Sequence, residues 1–518
     1  MRRRKSSLQR DGVLRKRTTH HAPRTTKTYA EQRKERMKSS SKNNKNGAKP
    51  GMRTTHPATR NTNHERLFGT DGIRGTPGTY PLTDGMIYKI GSGIAKVVAY
   101  KSKRAHRHSV VIGKDTRATG VHLETILSNA IASRGIDVVL SGLITTPGLS
   151  FMVRHKKADM GIMISASHNK PEDNGIKLFD TDGCKLTPRE EALIEDIIFS
   201  GFVQTENGEK KHVPGKKYTI KNTQSLYVKF LLSTMGGIDL KGLSVVVDCA
   251  HGAASPFAKK VFKTLGAKAI TINDKPSGDN INIGGAMDPS ELRKVVIEND
   301  ADIGIALDGD GDRGIIVDEK GKVLDGDHIL AVTARYLLQR NRLPQKTIVT
   351  TVMSNLGLKI ALAGLNGKII YTQVGDKHVL EAIRKNNLTL GGEQSGHIIY
   401  YEHLPTPDGL LTGLQMLKVM KDEGRLLSEL AACMERFPQI LVNVKVREKR
   451  PFEKMAAVSD KLESFNRQLK DEGRILLRYS GTESLARVMV EGKDKDTIRE
   501  IAEALALEIR KEIGIGAD

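Results

Sequence analysis

Long apolar runs are missing from this chain. No stretch approaches the roughly 18 uninterrupted apolar residues of a membrane-spanning helix, so no spanning segment is expected. A hydrophobic signal-peptide core near Met1 is lacking too. Cysteines are few. Cys184, Cys249 and Cys433 are far apart and odd in number, which argues against a disulfide framework and for a reducing, cytoplasmic compartment. Acidic and large apolar side chains are scarce in residues 1–64, which hold 19 Lys plus Arg against 3 Asp plus Glu. That segment carries +16 of the net +23, so the other 454 residues carry only +7. The charge therefore suggests a nucleic-acid partner only through the tail.

The tail cannot bury enough surface to offset its chain entropy and is expected to be disordered. Four readings of it stay open: a solvated segment, an electrostatic grip on RNA or acidic surfaces, a targeting segment, and an extension upstream of a protein starting near Met52. Targeting would need an apolar helical face, which the tail lacks.

What is there is an alternation of strands and helices too long for one core. SVVIG (109–113) reads as a strand. A helix follows over 121–134, with Leu123, Ile126, Leu127, Ala130 and Ile131 on one face and Gly135 as its stop. The strand ADMGIMI (158–164) then runs into SASHN. The pattern returns twice: LSVVVD (243–248), a helix near 255–265, KAITI and ADIGIAL running into DGDGDR; then KTIVTTV (346–352), helices near 355–363 and 376–385, and LTLGG running into EQSGH. The fold class is therefore α/β, with three similar domains of mixed sheets flanked by helices. Each leaves a polar motif at the carboxyl end of a late strand, where ligands of open α/β sheets bind. After residue 438 a strand, a helix near 451–470, a hairpin around RYSGTES and a helix near 495–513 read as an α+β domain. The expected divisions are 1–64, 65–218, 219–319, 320–437 and 438–518.

ALDGDGDRGIIVD (306–318) sets Asp308, Asp310 and Asp312 at alternate positions with Arg313 next. The spacing resembles an EF-hand loop, with Glu319 twelfth, but the sixth position needs Gly and is Arg313. The flanks are β-branched, so a strand–loop–strand unit is expected. Three carboxylates this close are costly without a cation, and oxygen ligands suit Mg²⁺ sharing its shell with a phosphate.

Ser167 and His168 in ISASHNKPEDNGIKLF (164–179) are weak signals alone, and no Gly-x-Ser-x-Gly elbow surrounds the serine. Together, LFGTDGIRG (67–75), SASHNKPEDNGIKLF, DGDGDR, GGEQSGH (391–397) and RYSGTES (478–484) occur in the order seen in α-D-phosphohexomutases. The chain resembles that family from about residue 65 to 515. VGDKHV (374–379), the glutamine of GGEQSGH, FPQILVNVKV (437–446) and RVMVEG (487–492) point within it to a branch acting on a phosphorylated hexosamine.

The resemblance implies a phosphoserine at Ser167. It implies Mg²⁺ on Asp308, Asp310, Asp312 and the phosphorylated Ser167, and a sugar 1,6-bisphosphate as activator. Lys177 and Arg74 would stand at the transfer position, with Lys177 as proton acceptor, its pKa lowered if cations surround it. His168 would orient the serine loop. Glu393, Ser395 and His397 would hold the sugar, with Lys377 and Arg313 as further contacts. Arg478, Ser480, Gly481, Thr482 and Arg487 would grip the distal phosphate. The rivals are a branch acting on mannose or glucose phosphates and, from another class, an RNA- or surface-binding protein with an idle mutase body. Two places depart from the family. Lys170 replaces the proline after SASHN, and Tyr479 and Ser484 replace both prolines of the R-P-S-G-T-E-P loop, which is expected to loosen it.

Overall fold

The computed structural model describes residues 66–69, 71–101, 107–200, 213–480 and 483–515. The tail lies outside the described residues, as do Gly481 and Thr482.

The first sheet contains β1 (Ile73–Gly75), β2 (Ser109–Lys114), β3 (Asp137–Leu143), β4 (Met160–Ile164), β5 (Asn174–Phe179) and β6 (Lys217–Thr219), in the order β1-β5-β4-β2-β3-β6. β2 pairs in parallel with β3 and β4, whereas β5 runs antiparallel to both β4 and β1. The second sheet comprises β7 (Ser244–Asp248), β8 (Lys268–Ile272), β9 (Ile303–Leu307), β10 (Gly314–Asp318) and β11 (Val323–Leu324), in the order β11-β10-β9-β7-β8. The third comprises β12 (Thr347–Thr351), β13 (Lys368–Thr372), β14 (Leu390–Gly392) and β15 (Ile398–Tyr400), in the order β13-β12-β14-β15. All three repeat one device. A buried parallel strand ends, a short polar loop follows, and the chain returns antiparallel: β4 to β5, β9 to β10, β14 to β15. SASHN, DGDGDR and EQSGH occupy those three loops. The last sheet is antiparallel, β16 (Gln439–Lys445), β18 (Leu485–Gly492) and β17 (Gly473–Tyr479) in that spatial order, and helices Ala456–Leu469 and Lys495–Ile513 pack with it.

Local chemistry accounts for the elements that frame the loops. The helix Gly120–Ser133 buries Leu123, Leu127, Ala130 and Ile131 on one face, as the 3.6-residue period requires. The helix Thr146–Lys156 starts where the Thr145 hydroxyl accepts from Gly148 N and Pro147 enters the first turn, and it stops at Lys157 with φ 54°. One apolar core runs through the first three sheets, from Met152 and Tyr227 through Ile303 to Leu411. The helix Gly409–Glu423 lies on the second sheet, close enough that a Cβ on Gly413 would meet Ile305 side-chain atoms at 2.4 Å. The last sheet keeps its own core and is latched to the third by Glu491. Asn355 Nδ2 donates to Glu491 Oε1 at 3.1 Å and to Phe437 O at 3.0 Å, and Arg474 bridges Glu491 to Ser354 O.

Candidate active site

The hairpin geometry brings the serine loop and the aspartate loop together. Ser167 Oγ donates to Asp308 Oδ2 at 2.7 Å, and both residues are 1% exposed. Ligand oxygens of Asp308, Asp310 and Asp312 all lie within 4.8 Å of one another. Thr146, at the start of its helix, donates its hydroxyl to Asp310 Oδ2 at 2.5 Å and its backbone N to Asp310 O at 2.8 Å. Asp310 Oδ1 is buried without a partner. Burial, then Asp312 and Asp310, push Asp308 up to about 7. This set of buried, crowded and incompletely partnered carboxylate oxygens fits a hard divalent cation.

Two glycines let the GTDGIRG turn lie against β5. A Cβ on Gly72 (φ +80°) would meet Ile176 O at 2.5 Å, and one on Gly175 would meet Ser165 O at 2.6 Å. With β1 paired to β5, Arg74 faces Gly175 in register. Arg74 Nη1 donates to Asn169 Oδ1 at 2.9 Å and Nη2 to Asp71 Oδ2 at 2.6 Å. Lys177 Nζ lies 2.8 Å from Asp310 Oδ2, 3.2 Å from Asp312 Oδ2 and 2.9 Å from Asp71 Oδ2. Its direct contacts are these three carboxylates, with Arg74 a weaker opposing charge. Burial disfavours its charge, but Asp310, Asp312 and Asp71 outweigh that and raise its pKa well above the usual lysine value. The condition for a lowered pKa, a shell of cations, is not met.

His168 Nδ1 accepts from Arg313 Nη2 at 3.0 Å and lies 3.4 Å from Ser167 Oγ. Burial and then Arg313 and Arg74 lower its pKa to about 4, so its neutral ring carries the proton on Nε2. Arg313 Nε also lies 3.9 Å from Asp308. His397 bridges two loops, with Nδ1 2.9 Å from Glu393 Oε2 and Nε2 3.1 Å from Asp312 Oδ1. Burial alone would lower its pKa, but Asp312 and Glu393 push it up to about 10. Glu393 Oε1 accepts from Gly375 N at 2.8 Å. Ser395 is exposed at the tip of the loop. Lys377 is engaged elsewhere, 2.9 Å from both oxygens of Glu191.

Arg478 and Arg487 are direct cross-strand partners, a juxtaposition of like charges that is unfavourable unless an anion lies between them. Arg487 reaches Glu483 Oε2 at 2.9 Å, whereas Arg478 makes no ion pair among the described residues. Ser480 is buried and its hydroxyl accepts from Glu483 N at 3.3 Å. Tyr479, in the proline position, stacks on Phe452 with centroids 4.5 Å apart, and its hydroxyl donates to Arg450 O. At the other departure, the Lys170 carbonyl accepts from Arg117.

Asp71, Lys185, Asp376, Arg117 and Asn282 escaped the sequence reading. Asp71 gathers Lys177, Arg74 and Lys185, and Lys185 continues to Asp376 at 2.8 Å. Arg117 is fully buried and donates to the carbonyls of Ser167, Asn169, Lys170 and Asp173. Asn282 donates to the carbonyls of Ser167 and Asn169 from the second sheet's side. Asp71 sits inside a motif already singled out. Arg117 follows β2 in GKDTR, so the rule that polar motifs follow strand ends would have found it.

Four domain profiles of phosphoglucomutase/phosphomannomutase match in order: α/β/α domain I at 65–204, domain II at 225–321, domain III at 325–437 and the C-terminal domain at 441–508. The chain belongs to the phosphoglucomutase/phosphomannomutase family. Within that family it is 46% identical over 477 residues to a phosphoglucosamine mutase of Anaeromyxobacter sp. (strain Fw109-5), covering 89% of this chain and 100% of the relative. It is 47% identical over 452 residues to one of Geotalea uraniireducens, covering 87% and 99%. Among solved structures, a family protein from Burkholderia thailandensis superposes with a TM-score of 0.72 at 22% identity, covering 87% of this chain and 99% of that one. The Aspergillus fumigatus N-acetylphosphoglucosamine mutase, in complex with GlcNAc-6P and magnesium, gives 0.59 at 18% identity, covering 86% and 95%. Both share the fold. As members of this family do, the chain acts as an intramolecular phosphotransferase. No helix among the described residues is long and apolar enough to cross a membrane.

Proposed function

We propose that the chain interconverts glucosamine 6-phosphate and glucosamine 1-phosphate through a phosphoserine at Ser167 and a bisphosphorylated sugar. The observation that carries this reading is the 2.7 Å contact between Ser167 Oγ and Asp308, made between loops of two different sheets. A phosphate on that oxygen brings about two negative charges to three buried carboxylates, so cationic neighbours are required. Arg74, Lys177 and Arg313 surround the point. Mg²⁺, held by Asp308, Asp310 and Asp312, would supply the remaining neutralisation of the phosphoryl oxygens. Lys177 donates to Asp310 and Asp312, so it would accept the attacking hydroxyl's proton only after giving up its own, which sharing those carboxylates with a cation would favour. His168, neutral and held by Arg313, orients the serine loop. Positioning and electrostatics carry the transfer, because its transition state is loose and spreads charge over the phosphoryl oxygens. The sugar's ring hydroxyls meet Ser395 and the Glu393–His397 pair. The other phosphate meets Arg478 and Arg487, whose mutual repulsion an anion relieves. The phosphoryl group passes from Ser167 Oγ to the free hydroxyl, whose proton moves by way of Lys177 to the released serine oxygen; the sugar reverses, and its other phosphate returns to Ser167 by the same exchange run backwards. A sugar 1,6-bisphosphate recharges a chain that has lost its phosphate.

Two measurements test this together. Intact mass should show a species about 80 Da heavier that Ser167→Ala lacks. A coupled assay on glucosamine, mannose and glucose 6-phosphates should favour glucosamine. Absence of the added mass overturns the phosphoserine, and equal or faster turnover of mannose or glucose overturns the substrate.

A further inference from the structure

Ser167 is held in a left-handed backbone conformation, φ 52°, which a serine keeps only where its surroundings over-determine it. Arg117 supplies the shape. All five of its N–H groups are used: Nε on Asp115, Nη1 on Lys170 O and Asp173 O, and Nη2 on Ser167 O and Asn169 O. Every one of those partners belongs to the chain that surrounds the first sheet, so Arg117 fixes how the serine loop is folded and not where it stands relative to the aspartates.

Asn282 addresses the second question. It lies between β8 and β9, and its backbone N donates to Ala250 O at 2.8 Å just past the end of β7. Its Nδ2 donates to Ser167 O at 2.8 Å and to Asn169 O at 2.9 Å. Its Oδ1 accepts from Gly309 N at 2.8 Å. Gly309 is the residue between Asp308 and Asp310. One amide therefore bonds the carbonyl of the serine itself and the backbone of the aspartate turn. The rest of the turn is braced from its own side, where Ala253 N donates to Gly309 O at 2.8 Å. Asn282 touches none of the groups assigned to the sugar among the described residues.

We propose that Asn282 is a positioning residue for phosphoryl transfer, its side-chain amide setting the register between the Ser167 loop and the Asp308–Asp312 turn. The inference rests on Ser167 as the phosphate carrier. A misplacement of about 1 Å in such a reaction costs about 100-fold in rate. The loss should fall on the transfer step, because the amide does not meet the substrate.

The test uses the full chain carrying Asn282→Gly. Asn282 itself has φ 65°, a conformation glycine adopts freely, so the variant removes the amide without adding backbone strain. Phosphorylated chains are counted by intact mass, and single-turnover transfer to glucosamine 6-phosphate is expressed per phosphorylated chain. Transfer about 100-fold slower, with KM within about threefold of the parent, supports the proposal. A purely structural role would lower the melting temperature and the yield of folded chain yet leave the rate per phosphorylated chain unchanged, so a rate within about threefold of the parent overturns it. If the glycine variant does not fold, Asn282→Asp keeps the acceptor for Gly309 N and removes the donors to Ser167 and Asn169, and the same threshold decides. A parent without phosphate on Ser167 overturns the carrier and the positioning role together. A parent that transfers normally beside an unimpaired variant overturns the positioning role alone.

Discussion

Replacing Lys177 by methionine isolates the electrostatics of the cluster. The side chain is 2% exposed, and its ammonium lies within 3.2 Å of Asp310, Asp312 and Asp71. Each contact near 3 Å is worth about 5 kcal/mol at an effective dielectric of about 20, before the cost of stripping water from the charges. Removing one partner from a buried ion pair destabilises by about 3–5 kcal/mol, because the other charge stays buried without compensation. Methionine preserves much of the shape, so the deficit is chiefly electrostatic. For a cooperative unit of about 200 residues, this corresponds to a midpoint lowered by roughly 6–20 °C. The loss should be conditional. In chelator Lys177→Met should show the full deficit, and excess Mg²⁺ should restore much of it while raising the parent's midpoint by less. Scanning calorimetry with and without Mg²⁺ reads both quantities. A variant within about 0.5 kcal/mol of the parent in chelator, or an equal Mg²⁺ increment in both proteins, would refute the reasoning.

Asp327 offers a pH test away from the cluster. Burial and then Asp325 push it up from 3.8 to about 7, its Oδ2 accepts from Asn355 N at 2.7 Å, and its Oδ1 has no partner. A raised folded-state pKa means that the native chain holds the proton longer, so this group's contribution to stability falls as pH rises from about 4 to about 7. Asp327→Asn mimics the protonated acid. It should match the parent near pH 4 and exceed it by roughly 2–4 kcal/mol near pH 8, and an offset that does not change with pH would exclude the explanation. Arg478→Ala should raise KM for the sugar phosphate by roughly 10–100-fold, the loss of a charge-assisted bond of about 1.5–3 kcal/mol, while the phosphorylated fraction of Ser167 stays at the parent's level. An unchanged KM would remove Arg478 from the phosphate site.

The elements with strong periodicity were legible in the sequence, and so was the strand–loop–strand setting of DGDGDR, which β9 and β10 form. Contacts set by tertiary packing were not. The charge around Lys177 comes from residues more than 100 positions away along the chain, so no local window could show that carboxylates would surround it. Lys377 sits in a motif yet pairs with Glu191 of a distant helix, for the same reason. Asn282 carries no sequence signal of its own, because an asparagine in a Gly- and Asn-rich loop is ordinary turn chemistry. The helix Gly409–Glu423 shows the converse, following the third sheet in sequence while lying on the second.

The Glu491 latch makes the last sheet a lever. Glu491 stands near the base of β18 and Arg487 four residues nearer the tip, about 13 Å away at about 3.3 Å per residue. Leu485, where β18 starts, lies roughly 20 Å away on the same scale. A swing of only about 10° about the Asn355–Glu491 contact would carry that tip through some 4 Å by this geometry, roughly the breadth of a phosphate. Such a displacement at the Arg478 end of the sheet would leave the Asn355–Glu491 contact in place.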